Sequence, residues 1–437
     1  MAVACAQKPA RVPTADTPPR LSAPELPAVR ALGGPRALWA ERLPAPNGGF
    51  VSVAVDERGR VGMVASGNLS QSEGGTFMDH ALPLTRGRGV SEIGLLALRT
   101  KTGTGWVRAA DGSPNHGGLT IAADRLWMGV LGGVGRLRWP DGSLWPPPTG
   151  PLPFALVVGA ESSQDESLAV DRPGWRGLIG LPVGHLHETV FLLLGSYSSR
   201  GFDRIAAWMD GGPRWTLDVA PPRSTATATE EAGFHGAAVV DSEVVACVSA
   251  MGRVLRVGRE LPIPLSGYEA RPGGVVLWVS AETGRVVQSL MLRGRAPTDG
   301  PCSGFLAVRQ GVILTEERVI SLVPRSGGPS TVLLPLTDRR LVWIAGDGGD
   351  QVIVAAVGED KRTTLTVIDT ARERIRWQHE LGAGVAVHSV AIHGDVVALG
   401  GRRLFELDLE SLHLPEPSGG DDGFVIALEL PPWPPVP

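Results

Sequence analysis

From Arg36 to Leu430 the chain alternates short apolar runs, rich in Val, Leu and Ile, with breaks of Gly, Pro, Asp and Ser. Such runs, bounded by turn formers, read as strands whose side chains point alternately to two faces. No long stretch spaces its apolar residues at i, i+3, i+4 and i+7 behind a helix cap, so almost no helix is expected.

The strands recur in two forms. One is a small-apolar run that reaches Asp or Gly and then a second apolar run. Examples are Val51–Asp56 into Val61, Ser167–Asp171, Gly236–Asp241 into Val244, Phe305–Gly311 into Val312 and His388–Gly394 into Val396. Asp or Gly at that point reverses the chain into an antiparallel partner. The other is an apolar strand, a turn and a Trp: Leu96 to Trp106, Arg136 to Trp145, Ala206 to Trp215 and Thr366 to Trp377. Leu277 to Val287 is a copy without the final Trp. Pairing the forms gives units near 48–111, 114–150, 165–220, 233–294, 301–336, 340–382 and 385–430, with long inserts in the first, third, fourth and seventh. Two inserts share a Leu-Pro-x-Pro pattern, at Leu261 and Leu414.

The last unit stops at its third strand, Gly423–Leu430, and the missing turn-and-Trp strand lies at the other end of the chain. There Gly33-Gly-Pro-Arg-Ala-Leu-Trp39 matches Gly211-Gly-Pro-Arg-Trp215. If residues 36–43 complete the last unit, a ring closes and leaves no long sheet edge open. The expected fold is therefore an all-β propeller of about seven four-stranded blades, with eight as the alternative, closed by its N-terminal strand. Residues 33–430 form this single domain. Residues 1–32 are a Pro-rich tether and 431–437 a Pro-rich tail.

Composition refines this picture. The chain has 437 residues, a length for which two or three domains are the default, and repeat or ring architectures are the exceptions that absorb it in one. Net charge is −4, which gives no pull toward nucleic acid, and the basic residues are almost all arginine. No apolar run is long enough to span a membrane as a helix. The three cysteines are Cys5, Cys247 and Cys302. The last two are expected as separate buried thiols, with a bridge between them as the alternative. Met1-Ala-Val-Ala-Cys5 resembles the mature end of a bacterial lipoprotein, though neither a charged nor a long apolar segment precedes Cys5. Acylation at Cys5 would anchor the chain without spanning.

The Trp-bearing units resemble the repeats of quinoprotein-like (PQQ-like) propellers, in which Ala-x-Asp-x-x-Thr-Gly-Lys-x-x-Trp places a Trp between neighbouring blades. Asp369 and Trp377 keep that spacing, with Arg372 and Glu373 in place of Thr and Gly. Ala97, Thr102, Gly103 and Trp106 match with one residue deleted, Arg99 stands where Asp belongs, and Thr283 and Gly284 match without the Trp. The first form resembles units of secreted bacterial propellers. These resemblances imply the fold, and they span the ring without implying an activity. The dehydrogenases of the class stack their quinone on a vicinal disulfide, and no adjacent cysteine pair occurs here. No cofactor is expected.

Candidate chemistry is sparse. His185-Leu-His187-Glu188 would put two imidazoles on one strand face, as zinc sites do, without an evident third ligand. Asp347-Gly-Gly-Asp350 and Asp421-Asp422 read as turns rather than calcium ligands. Gly300–Gly304 has the outline of a nucleophile elbow, but no helix follows it, so it reads as a strand entry. No metal is expected. In a propeller the first strand of each blade lines the central channel, and its entry residues ring one mouth. By this register they are Phe50, His116, His235, Ser303 and His388, contacts for a polar ligand or else histidines bonded locally at strand ends.

The leading functional expectation is a non-catalytic binding or scaffolding propeller of the bacterial cell envelope, a monomer tethered through Cys5. In outline it resembles the propeller lipoprotein of outer-membrane protein assembly. Its partner would be a protein or a small polar ligand. The alternatives are an enzyme of hydrolase, lyase or isomerase type with its site at the channel mouth, and a cytoplasmic interaction propeller.

Overall fold

Alternating Val, Leu and Ala on short strands leaves each sheet with two apolar faces, and a closed ring buries both. In the computed structural model the described residues are 34–432, apart from 44–50, 70–75, 78–79, 82–90, 113–115, 131–136, 141, 146–152, 170–178, 196–201, 210–211, 221–230, 259–260, 266–272, 293–301, 303, 317, 337, 410–411, 416 and 418–421. The tether and most of the short tail lie outside that set.

Seven antiparallel sheets follow one another in chain order, each laid from an inner strand outward. The inner strands are Val51–Val55, His116–Ala122, Ile179–Leu186, Glu231–Val240, Leu306–Val308, Arg339–Gly346 and Val385–His393, of blades 1 to 7 in turn. Helix is confined to one turn, Ser162–Gln164, among the described residues. The core is distributed between the sheets. Among the described residues seven buried apolar clusters occur, and each fills one interface between adjacent blades. Strand alternation explains this: Ile353 and Ala355 face blade 7, whereas Val352, Val354 and Ala356 face blade 5.

The ring closes as the sequence predicts. Arg36–Leu43 pairs antiparallel with Asp422–Glu429, from Arg36 opposite Glu429 to Leu43 opposite Gly423, as the fourth strand of blade 7. Two tryptophans on fourth strands reach the next blade in the same way. Trp39 Nε1 donates to the Thr100 carbonyl at 3.2 Å and Trp215 Nε1 to the Ala281 carbonyl at 2.9 Å. Both acceptors lie just past a third strand. Arg99 also stacks over the Trp39 ring, 4.8 Å from its centre.

The units differ from the sequence reading in three respects, and the cysteines in one. Glu166–Leu168 is the outer strand of blade 2, and the inner strand of blade 3 is Ile179–Leu186. A Pro182–Gly184 bulge interrupts that strand's alternation and hides it. Leu137–Arg138 and Leu144–Trp145 do not complete blade 2; they form a hairpin on the outer edge of blade 1. The apolar–turn–Trp pattern fits this hairpin as well as a blade, because Trp139 packs on Trp145 and takes Arg108 over its face at 3.7 Å. Hairpin inserts therefore lie in blades 1, 2, 4 and 7. Finally, Cys247 and Cys302 are bonded, not separate. Second strand and blade-connecting turn bring their Cα atoms to 5.9 Å, within disulfide reach.

Candidate functional site

Each inner strand ends in a tight turn at the same end of the channel, and the turn residues face one another there. The turns need left-handed backbone, which His187, Asp241, Gly348 and Gly394 supply. Gly348 is obligatory for a second reason. A Cβ on it would lie 2.5 Å from the Val239 carbonyl oxygen, two blades away. The strand ends enclose a cavity of about 650 Å³ whose wall takes residues from all seven blades.

Charged groups on this rim form two clamps. Glu57 Oε2 of blade 1 meets His185 Nε2 of blade 3 at 3.0 Å, passing over blade 2. Burial opposes ionisation of Glu57, but its own backbone amide, His185 and then His393 outweigh it and hold the carboxyl below its ordinary value. On the opposite side Arg309 of blade 5 holds blades 4 and 6 together. It donates to both Asp241 oxygens, at 3.2 and 3.1 Å, and to Asp350 Oδ2 at 2.9 Å. Asp241 above all, and Asp350, raise its hold on the proton. Asp347 is engaged differently, accepting from the amides of Gly349 and Gln351 at 2.8 and 3.1 Å. That is turn chemistry, as the sequence indicates.

The sequence-based ring maps onto the structure unevenly. Phe50 and Ser303 lie outside the described residues, as does Cys5. His116 opens the inner strand of blade 2, and its side chain is outside the described set. His235 and His388 occupy bulges of the inner strands of blades 4 and 7, nearer the other mouth and three blades apart. Arg402 Nε donates to His388 Nε2 at 3.2 Å. Burial, then Arg402, lowers the His388 pKa, and burial alone lowers that of His235 although part of its ring meets solvent.

The cavity instead gathers Glu57, His185, His187, Asp241, Arg309, Asp347 and His393. His185 and His187 are the pair singled out for zinc. Among the described residues no three His, Cys, Asp or Glu side chains converge as metal ligands. In Gly300–Gly304 the central Cys302 is bonded to Cys247, and Ser303 lies outside the described residues. The signal for the rim residues was the turn positions themselves, which follow each inner strand by the same few residues.

No protein-family model and no curated protein matches the chain. Solved structures do. BamB from Moraxella catarrhalis is 14% identical over 90% of this chain and 99% of its own, with a TM-score of 0.36. Quinohemoprotein alcohol dehydrogenase from Comamonas testosteroni is 10% identical, over 92% of this chain and 77% of its own, with a TM-score of 0.45. The propeller domain of the Trilobed protease from Pyrococcus furiosus, with an open velcro topology, is 9% identical over 89% of this chain and 100% of its own, at a TM-score of 0.43. At such identities the likeness concerns the fold, and the blade count rests on the chain's own strand pairing.

Proposed function

We propose that this chain is a non-catalytic binding propeller of the bacterial cell envelope, tethered through Cys5, whose ligand or partner engages the channel mouth. The observation that carries the binding reading is the rim. Seven strand ends converge on one cavity, and four of its acids and bases, Glu57 with His185 and Arg309 with Asp241, are held in cross-blade pairs that preorganise a polar surface. The Cys247–Cys302 bridge supports the compartment, because such bonds persist where the surroundings are oxidising. The enzyme alternative retains one feature, the Glu57–His185 carboxylate–imidazole pair. That pair holds two blades together, a role that needs no substrate.

The test is a pull-down from bacterial envelope fractions with the intact chain and with Arg309→Ala. The substitution releases Asp241 and Asp350 at a half-exposed position, so the fold persists. A partner held by the intact chain and lost with the variant is expected. Equal recovery by both, or recovery of nothing alongside no thermal shift with metals, quinones or sugars, overturns the proposal.

A further inference from the structure

The two clamps leave one arc of the channel rim unbalanced in charge. Glu57 and His185 span blades 1 to 3, and Asp241, Arg309 and Asp350 span blades 4 to 6. Between the clamps the rim runs from Asp347 of blade 6 past His393 of blade 7 to Glu57. Every inner-strand turn of this rim is among the described residues. Arg309 is the one arginine or lysine that lines the cavity among them, and it is engaged by Asp241 and Asp350. The arc therefore carries the carboxylates of Asp347 and Glu57 without a cation of its own. Asp56, also on the wall, is buried and paired with Arg60 at 2.6 Å, so it adds no open charge. Asp347 Oδ1 takes the amides of Gly349 and Gln351, and Oδ2 has no donor among the described residues.

Below the rim the wall changes character. Val55, Leu119, Val183, Val239, Leu306 and Ile392, from six different blades, line the same cavity. Its volume of about 650 Å³ is of the size that encloses a small organic ligand. Such a wall has two effects. It rewards an apolar body, by about fourfold in affinity for each methylene removed from water. It also lowers the local dielectric, which strengthens the pull of the rim carboxylates on a cation. A bare metal ion gains nothing from the apolar wall, and a fatty carboxylate is repelled by the arc above it.

We infer that the channel mouth binds a primary ammonium carried on an unbranched apolar chain, the ammonium at Asp347 Oδ2 in the field of Glu57 and the chain against the wall below. The inference rests on the reading of the mouth as a binding site, and adds the charge and shape of what enters it. A compact ammonium suits Asp347 better than a guanidinium does. The planar fork of a guanidinium engages both oxygens of a carboxylate, and here one oxygen already serves the turn. A lysine side chain on a protein partner and a free alkylamine share the required chemistry.

The experiment is titration calorimetry on the full chain with n-butyl-, n-hexyl- and n-octylammonium, and with n-octanoate as the control of opposite charge. Affinity should rise about fourfold per methylene along the amine series. Octanoate should bind at least about tenfold more weakly than octylammonium. Asp347→Asn keeps an acceptor for the Gly349 and Gln351 amides, so the thermal midpoint should hold while octylammonium binding falls about tenfold. A short peptide with one lysine between leucines is the second arm. Displacement of octylammonium by this peptide, and not by its lysine-acetylated form, assigns the cation to a partner chain; no displacement assigns it to a free amine. Absence of octylammonium binding, affinity indifferent to chain length, octanoate as tight as the amine, or an Asp347→Asn variant that binds normally each overturns the inference. If an envelope partner sensitive to Arg309→Ala is captured all the same, the binding reading stands and only the ammonium is refuted.

Discussion

His388 sits in the bulge of its inner strand, where the Arg402 guanidinium donates to Nε2. That bond and the surrounding burial both favour the neutral ring, so the folded-state pKa lies below the ordinary 6.5. His235 is placed alike in blade 4 and shifted the same way. The sign follows from linkage. Above the unfolded value neither state takes up a proton. As pH falls below it the unfolded chain protonates first, and stability is lost until the folded pKa is passed. Denaturation midpoints at about pH 7.5 and about pH 5.5 should therefore differ. His388→Gln keeps an acceptor for Arg402 without titrating, so it should narrow that difference. An unchanged difference would assign the acid sensitivity elsewhere.

The closing strand concentrates several contacts in a short segment. Besides its ladder, Arg36 pairs with Glu429, Arg42 with Asp422 and Glu41 with Arg99, while Trp39 packs toward blade 1. Without it, the buried third strand Asp422–Glu429 becomes an apolar edge. Deleting residues 33–43 should lower unfolding stability by about 3 kcal/mol or more, on the scale of losing one packed tryptophan. Deleting 6–30 should leave the urea midpoint unchanged. This strand was legible in the sequence because Gly-Pro-Arg and Trp recur together in blade 3, where the same docking bond forms. Blades 2 and 3 were less legible. Leu137–Trp145 imitates a blade's outer half, and the true inner strand of blade 3 has Pro182 and a bulge where alternation should continue. The rim escaped for another reason. Asp241 and Asp347 were explained as turn formers and Arg309 was not singled out, because local turn chemistry does not report which turns meet across a channel.

For the molecule as a whole, seven clusters between seven blades mean that no blade owns a core. Each sheet is half of two cores, so stability accrues by neighbours until the ring closes. The disulfide works within this scheme by linking blade 4 to the turn that enters blade 5. Closure itself has a consequence in time. Arg36 and Glu429 are partners separated by 393 positions, so residues 36–43 are synthesised long before the strand they pair with. Until its partner exists, the earlier strand waits, and the search that unites the two ends carries the entropy of the longest loop in the molecule. Moving residues 36–43 behind Leu430 through a short linker makes this meeting local. Such a permutant should refold faster in stopped-flow experiments while keeping the native strand order. If the rates are equal, ring closure is not what the chain waits for; if the permutant wins, residues 36–43 are a clasp held open until residues 422–429 arrive.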